Sequence, residues 1–215
     1  MTPYILHDAP QRSDQWYRDR LGHLTSSVAA DILAKGRGGA ESTTRQNLLV
    51  QLAVERLTGS RPPDGYVNAA MEYGTSMEPA ARFAYEAETG RIVQEGGFAA
   101  SREVPWLGAS VDGFVGREGI IEIKCPFVPA RHAATYDSLQ VPKEYMPQVV
   151  HQLAVTGAEW CDYVSYSPAF PAHMRLVILR VNWEQKAISA YLDAVNAFLA
   201  DVEAKVEHWT EGERI

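Results

Sequence analysis

Cysteine is scarce in this sequence: among 215 residues only Cys125 and Cys161 occur, and they form no C-x-x-C pair. That excludes a disulfide framework and falls short of the four thiolates of an iron–sulfur cluster. No run of about 18 apolar residues is present, so no membrane span is expected. The start, MTPYILHDAP, has no basic stretch followed by an apolar one, so no secretory signal is expected and a reducing cytoplasm is the simplest home. Basic excess is missing too: 20 Lys plus Arg stand against 27 Asp plus Glu, a net charge of −7. This argues against broad, unspecific attraction to nucleic acid. A metal site, however, concentrates carboxylates of its own, and basic residues can be gathered locally. Repeats and low-complexity tracts are absent.

What is present is ordinary globular material, 46% hydrophobic and 22% charged. The length suits a single domain over 1–215, mainly helical over 1–90 and built on a sheet core with a closing helix over 91–215. Ser13 is placed to cap a short helix through Trp16 and Arg20, and Thr25, Ser26 and Ser27 precede a second from Val28 to Ala34. Lys35 to Gly39 reads as a basic, glycine-rich loop, and Arg61 to Gly65 as a turn. Leu48, Leu49, Leu52, Val54 and Leu57 have helical spacing, with Gly59 as the stop. A further helix runs from Ala69 to Thr89, with Gly74 and Pro79 predicting a bend or break. Arg91 to Ala99, Gly108 to Val115 and Gly119 to Cys125 read as strands, the last two joined as a hairpin through Gly116-Arg117-Glu118-Gly119. Helices near Ala130 to Ser138 and over Tyr145 to Thr156 follow, then strands Asp162 to Ser167 and Met174 to Val181. The apolar stripe from Ile188 to Trp209 predicts a long final helix. The expected fold class is α/β, a central mixed sheet flanked by helices.

The chemistry concentrates in Gly108-Ala-Ser-Val-Asp-Gly-Phe and, shortly after, Ile120-Ile-Glu-Ile-Lys-Cys-Pro. Glu122 and Lys124 are two apart on an apolar strand, so they share one face, while Ile121, Ile123 and Cys125 take the other. Burying a Glu and a Lys is costly unless something pairs them. The hairpin brings Asp112, at the end of the preceding strand, beside Glu122. Two adjacent carboxylates repel, and a divalent cation relieves the repulsion; all-oxygen ligands favour Mg²⁺ or Mn²⁺. An isolated E-x-K on a strand is more often a plain buried ion pair. The Asp-Gly, the hairpin and the apolar flanks together narrow the choice. His151, Cys125 and Cys161 read as packing residues.

The arrangement resembles the PD-(D/E)XK nuclease superfamily with its restriction-endonuclease-like core. More narrowly, it resembles the phage-lambda-type alkaline exonuclease family, the YqaJ-like viral recombinases. Four separated segments carry the narrower likeness: Trp16-Tyr-Arg-Asp-Arg-Leu-Gly-His-Leu-Thr-Ser-Ser, Glu72-Tyr-Gly-Thr-Ser-Met-Glu, Ser110 to Pro126, and Tyr145-Met-Pro-Gln-Val. Val111 stands where the superfamily name has Pro.

The resemblance implies that Asp112, Glu122, the Ile123 carbonyl and Glu78 hold two Mg²⁺ ions, with Mn²⁺ able to substitute. Lys124 orients or deprotonates the attacking water and stabilises charge on the phosphate. Tyr145 and Gln148 bracket the site from the following helix, and Gln152, four residues on, shares their face. It also implies a 5′-phosphate pocket of Arg20, Ser27 and Ser110, a guanidinium fork and two hydroxyls suited to a dianion. Taken singly, Arg20 reads as a surface ion pair, Ser27 as a helix cap and Glu78 as a solvated carboxylate. For DNA contacts, Arg37 either reaches a groove or is a surface charge, and Met71 either wedges the terminal base pair or belongs to the core. The implied activity is 5′-to-3′ digestion of one strand of linear double-stranded DNA to mononucleotides, leaving a 3′ single strand for annealing. A homotrimeric ring, a single-strand annealing recombinase as partner and a bacterial or phage origin are implied likewise. An endonuclease on the same core, or an inactive DNA-binding scaffold, is the alternative.

Overall fold

Ser13 opens the first helix as its position requires, its hydroxyl accepting from the Trp16 amide. The computed structural model describes residues 2–36, 38, 42–61 and 69–212. In chain order the elements are β1 (Tyr4–His7), α1 (Asp14–Arg20), α2 (Thr43–Thr58), α3 (Ala69–Thr89), β2 (Val93–Gln94), β3 (Phe98–Ser101), β4 (Gly108–Ser110) and β5 (Gly113–Val115). They continue with β6 (Gly119–Lys124), α4 (Pro129–Ser138), α5 (Met146–Thr156), β7 (Trp160–Tyr166), β8 (Leu176–Asn182) and α6 (Gln185–Glu211). A five-stranded mixed sheet of order β2-β5-β6-β7-β8 carries the helices; β6 and β7 are parallel and the other neighbours antiparallel.

The five strands are the expected central mixed sheet, and beside them lies a second, three-stranded antiparallel sheet, β1-β3-β4. Two long strands read from the sequence are each divided. Arg91 to Ala99 separates at Gly96-Gly97 into β2 and β3, and Gly108 to Val115 separates at Val111-Asp112 into β4 and β5, so each half joins a different sheet. Gln11 ties both crossings together, its Nε2 donating to Gly96 O at 3.1 Å and to Val111 O at 2.9 Å. Gly97 permits the approach of the first strand: a Cβ there would lie 1.9 Å from His7 O. Strand β1 carries no clean alternation of apolar residues, with Ile5 and Leu6 both exposed, so no periodicity marks it as a strand.

Two further expectations are corrected. Val28 to Ala34 forms short 3₁₀ turns, Ser26–Val28 and Asp31–Leu33, rather than a helix. Helix α3 runs unbroken past Gly74 and Pro79. Its Met77, Ala81 and Tyr85 pack against Ile121 and Ile123 of β6 and Cys125 just after it, and that burial outweighs the donor lost at the proline. On the opposite face, Ile120 packs with Val149 and Leu153 of α5. Helix α6 buries Tyr191, Val195, Phe198, Leu199 and Val202 against Leu48, Leu49 and Leu52 of α2. Each such side chain contributes about 1.5–3 kcal/mol when fully buried. Gly59 and Gly157 close α2 and α5 with positive φ of 62° and 65°. Among the described residues, no helix is long and apolar enough to cross a membrane.

Candidate active site

Strand β6 delivers Glu122 and Lys124 to the α5 side of the sheet, as period two requires. Glu122 is buried and fully engaged. Its Oε1 accepts from Lys124 Nζ and, at 2.7 Å, from Gln148 Nε2; its Oε2 accepts from Gln152 Nε2 at 2.5 Å. Gln148 Oε1 in turn takes a hydrogen bond from Lys124 Nζ at 3.1 Å. Lys124 Nζ also lies 4.9 Å from the centre of the Tyr145 ring, which stacks on Tyr163. Tyr145 precedes α5 as its cap, so the helix begins one residue later than its sequence suggests.

Asp112 sits between β4 and β5 rather than at a strand end. The gap leaves the Ile123 amide without a ladder partner, and Asp112 Oδ2 accepts from it at 2.7 Å. Burial and the neighbouring Glu122 raise the Asp112 carboxyl to about 8, against the opposing pull of Lys124. Burial works to lower the Lys124 ammonium, but Glu122 and Asp112 together raise it, so it stays cationic. Glu78 lines the same cavity but is paired with Arg12, its Oε1 accepting at 2.8 Å. Among the described residues no three His, Cys, Asp or Glu side chains converge as an ion would need. The donor chemistry nevertheless suits a hard cation: Asp112 and Glu122 disfavour each other's charge, and a divalent ion between them would reverse that penalty.

A second cluster lies along the same cavity. Arg20 donates from Nη1 to Ser110 Oγ at 2.7 Å and from Nη2 to Thr25 Oγ1 at 3.3 Å, and Thr25 Oγ1 is 3.3 Å from Ser27 Oγ. Trp16 Nε1 also donates to Ser110 Oγ, at 3.1 Å, and the guanidinium stacks on the Trp16 ring at 4.0 Å. Ser110 Oγ thus accepts twice, which leaves its own proton to donate outward. Burial, then Arg61, lower Arg20 to about 10, so an anion arriving here would relieve a desolvated cation. One cavity of about 810 Å³ is lined by Arg20, Thr25, Ser27, Glu78, Asp112, Glu122 and Lys124, and by Met71, which is 56% exposed and so not core. Arg37 lies outside the described residues.

The model of the YqaJ-like viral recombinase domain matches residues 15–159. The chain belongs to this family.

Its matched span holds every site residue the sequence pointed to, from Arg20 to Gln148. The chain is similar in structure to LHK-Exo, an alkaline exonuclease from Laribacter hongkongensis, with a TM-score of 0.85 and 38% identity over 94% of this chain and 98% of that one. The same values hold for LHK-Exo in complex with dAMP. A phage-related exonuclease from Haemophilus somnus 129PT shares the fold, with a TM-score of 0.69 and 15% identity over 87% of this chain and 96% of that one. No curated protein matches the chain.

The family member's structure brings together Asp112, Glu122, Lys124, Tyr145 and Gln148, and separately Arg20, Ser27 and Ser110. Sequence reasoning missed Trp16, Thr25 and Arg12. Trp16 left a faint signal, an aromatic four residues before Arg20 on one helix, where the two side chains stack. Arg12 left none, because its contact with Glu78 joins residues far apart in the chain through a positive-φ backbone (69°).

Proposed function

We propose that this family member is a metal-dependent exonuclease that digests one strand of linear double-stranded DNA from its 5′ end to mononucleotides, leaving a 3′ single strand. One observation carries the reading: an anion-ready cluster around Arg20 and a carboxylate–lysine cluster around Glu122 line a single cavity. The first fits a terminal phosphate, and the second fits hydrolysis of the next phosphodiester bond. The relative LHK-Exo is an alkaline exonuclease with a structure in complex with dAMP, itself a mononucleotide.

Asp112 and Glu122 would hold Mg²⁺ or Mn²⁺, with the Ile123 carbonyl and Glu78 completing two sites. The ions would supply Lewis-acid activation of water and charge neutralisation at the leaving oxygen. Lys124, kept cationic by the acids, stabilises charge on the phosphate and orients water. Gln148 fixes both Glu122 and Lys124, and Tyr145 walls the cavity beside the amine. Arg20, Ser27 and Ser110 set the register by holding the terminal phosphate, so each cut removes one nucleotide. Met71, exposed on α3 at the cavity wall, wedges the terminal pair, and Arg37 contacts the duplex.

The chain is read as a single nuclease domain over 1–215. A homotrimeric ring around the duplex would hold DNA by topology, which suits a net charge of −7 better than surface attraction does. A single-strand annealing recombinase would receive the 3′ tail, in the cytoplasm of a bacterial or phage-infected cell. The test is time-resolved digestion of duplex labelled at either end, with and without 5′ phosphate, in Mg²⁺. Mononucleotides from the 5′ strand of linear DNA, no cutting of closed circles, and loss of release in Lys124→Met are expected. Release from the 3′ end, or full activity in Asp112→Ala, would overturn the reading.

A further inference from the structure

Gln152 stands between the two clusters of the cavity. Its Nε2 donates to Glu122 Oε2 at 2.5 Å and to the Ser110 carbonyl at 3.2 Å. Both amide protons are therefore spent, one on a carboxylate of the cleavage centre and one on the residue whose hydroxyl Arg20 holds. Turning the amide over would set its oxygen against two acceptors, so the orientation is fixed by chemistry. Its Oε1 is buried with no partner.

The surroundings explain why a bridge matters here. Strand β4 pairs with β3 along one edge. Along the other, the Gly108 amide donates to Leu24 O at 3.0 Å and α5 reaches the carbonyls: His151 Nε2 lies 2.8 Å from Gly108 O, its Nδ1 lies 2.7 Å from Tyr191 Oη, and Gln152 reaches Ser110 O, which also accepts from Ser26 Oγ at 3.4 Å. Gln148, one turn earlier, hydrogen-bonds to Glu122 and Lys124. Packing alone does not account for Gln152. An apolar side chain of the same shape would fill the space without stranding a buried oxygen. What the amide adds is a rigid link between the phosphate pocket and Glu122.

We propose that Gln152 is a positioning residue that couples the filled 5′-phosphate pocket to the alignment of Glu122, so that a terminal phosphate raises the rate of cleavage as well as affinity for the end. This rests on the function proposed above. A phosphate held by Arg20 and Ser110 draws on β4; the Ser110 carbonyl moves with it; Gln152 carries the displacement to Oε2 of Glu122. Lys124 and Gln148 hold the other oxygen, so the carboxylate is set from both sides.

The experiment compares single-turnover rates at saturating enzyme on 5′-phosphorylated and 5′-hydroxyl blunt duplexes, in Mg²⁺. The variants are Gln152→Met, which keeps the shape and cannot donate, and Gln148→Met as the control. Gln152→Met should reduce the phosphate-to-hydroxyl ratio of rates about tenfold, the size of an ordinary coupling between sites. Gln148→Met should slow both substrates by a similar factor and leave the ratio in place. Calorimetric titration with Ca²⁺ gives a readout separate from turnover. Phosphorylated duplex should tighten Ca²⁺ binding by the wild type relative to hydroxyl duplex, and this difference should vanish in Gln152→Met. Should Gln152→Met not fold, Gln152→Asn keeps the polar head, is a methylene too short to span both acceptors, and predicts the same loss. If the wild type discriminates and Gln152→Met keeps the full ratio, the coupling is wrong while the proposed function stands. If the wild type shows no discrimination, the phosphate pocket itself is wrong and the coupling falls with it.

Discussion

If the proposed function holds, replacing Arg20 should separate end recognition from cleavage. The side chain is pinned by Ser110 Oγ at 2.7 Å, Thr25 Oγ1 at 3.3 Å and the Trp16 ring at 4.0 Å, so its fork is aimed before any DNA arrives. A charge-assisted hydrogen bond contributes about 1.5–3 kcal/mol. The stack on Trp16, which keeps the guanidinium in place, contributes about 0.5–2 kcal/mol. Arg20→Ala loses the bond to the phosphate and some of the aim, about 3 kcal/mol together, or roughly 150-fold in kcat/KM on 5′-phosphorylated duplex. Arg20→Lys keeps the charge but not the fork or the planar stack, and should lose about tenfold. On 5′-hydroxyl duplex neither substitution has a phosphate contact to remove, so the loss should stay within about threefold by the same free-energy reading. The assay is initial-rate release of nucleotides from both substrates at low enzyme, with melting curves to show that each variant is folded. Equal losses on the two substrates would refute the reasoning, because Arg20 would then be serving the fold or the cleavage centre and not the end.

Further outcomes follow from the same geometry. Burial and Glu122 raise Asp112 to about 8, above its ordinary 3.8. The metal-free folded protein therefore holds a proton there that the unfolded chain releases, and its stability falls as pH rises from about 4 to 8. A cation needs the carboxylate, so the rise in Tm produced by Mg²⁺ should grow between pH 6 and pH 8 and level off above; a constant rise across that range would contradict the assignment of Asp112. Gly97→Ala would put a Cβ 1.9 Å from the His7 carbonyl. It should cost about 3 kcal/mol or more, read by urea unfolding, and a loss under about 1 kcal/mol would show that β1 yields freely. Asp162, buried on β7, takes two 2.8 Å bonds from Arg180 and one from the Tyr85 hydroxyl at 2.8 Å. Asp162→Ala strips the buried Tyr85 hydroxyl of its acceptor, while the partly exposed Arg180 turns to water, and should destabilise by about 1–3 kcal/mol without selectively changing the preference for 5′ phosphate, checked by melting and by the two-substrate assay.

The site was more legible in the sequence than the sheet arrangement around it. Glu122 and Lys124 could be read from period two on an apolar strand, and the Gly116 to Gly119 turn fixed Asp112 near them, because both are local rules. The division of Gly108 to Val115 could not be read this way. Its residues have ordinary strand character, and what parts them is the long-range clamp of Gln11 on Val111 together with Asp112 capturing the Ile123 amide. The same holds for α3: Pro79 announces a break, but Tyr85 and Ala81, packed on β6, keep the helix whole. Burial decides such cases, and burial depends on partners that lie elsewhere in the chain.

The Gln11 amide pins Gly96 and Val111, the two points where the backbone passes from one sheet to the other, and Val111 is the immediate neighbour of Asp112. The stretch before α1 is therefore a latch on Asp112, although among the described residues no side chain before Arg12 lines the cavity. Removing β1, or fusing a bulky tag against it, would loosen the latch and blur the position of Asp112 while every side chain lining the candidate site remained intact.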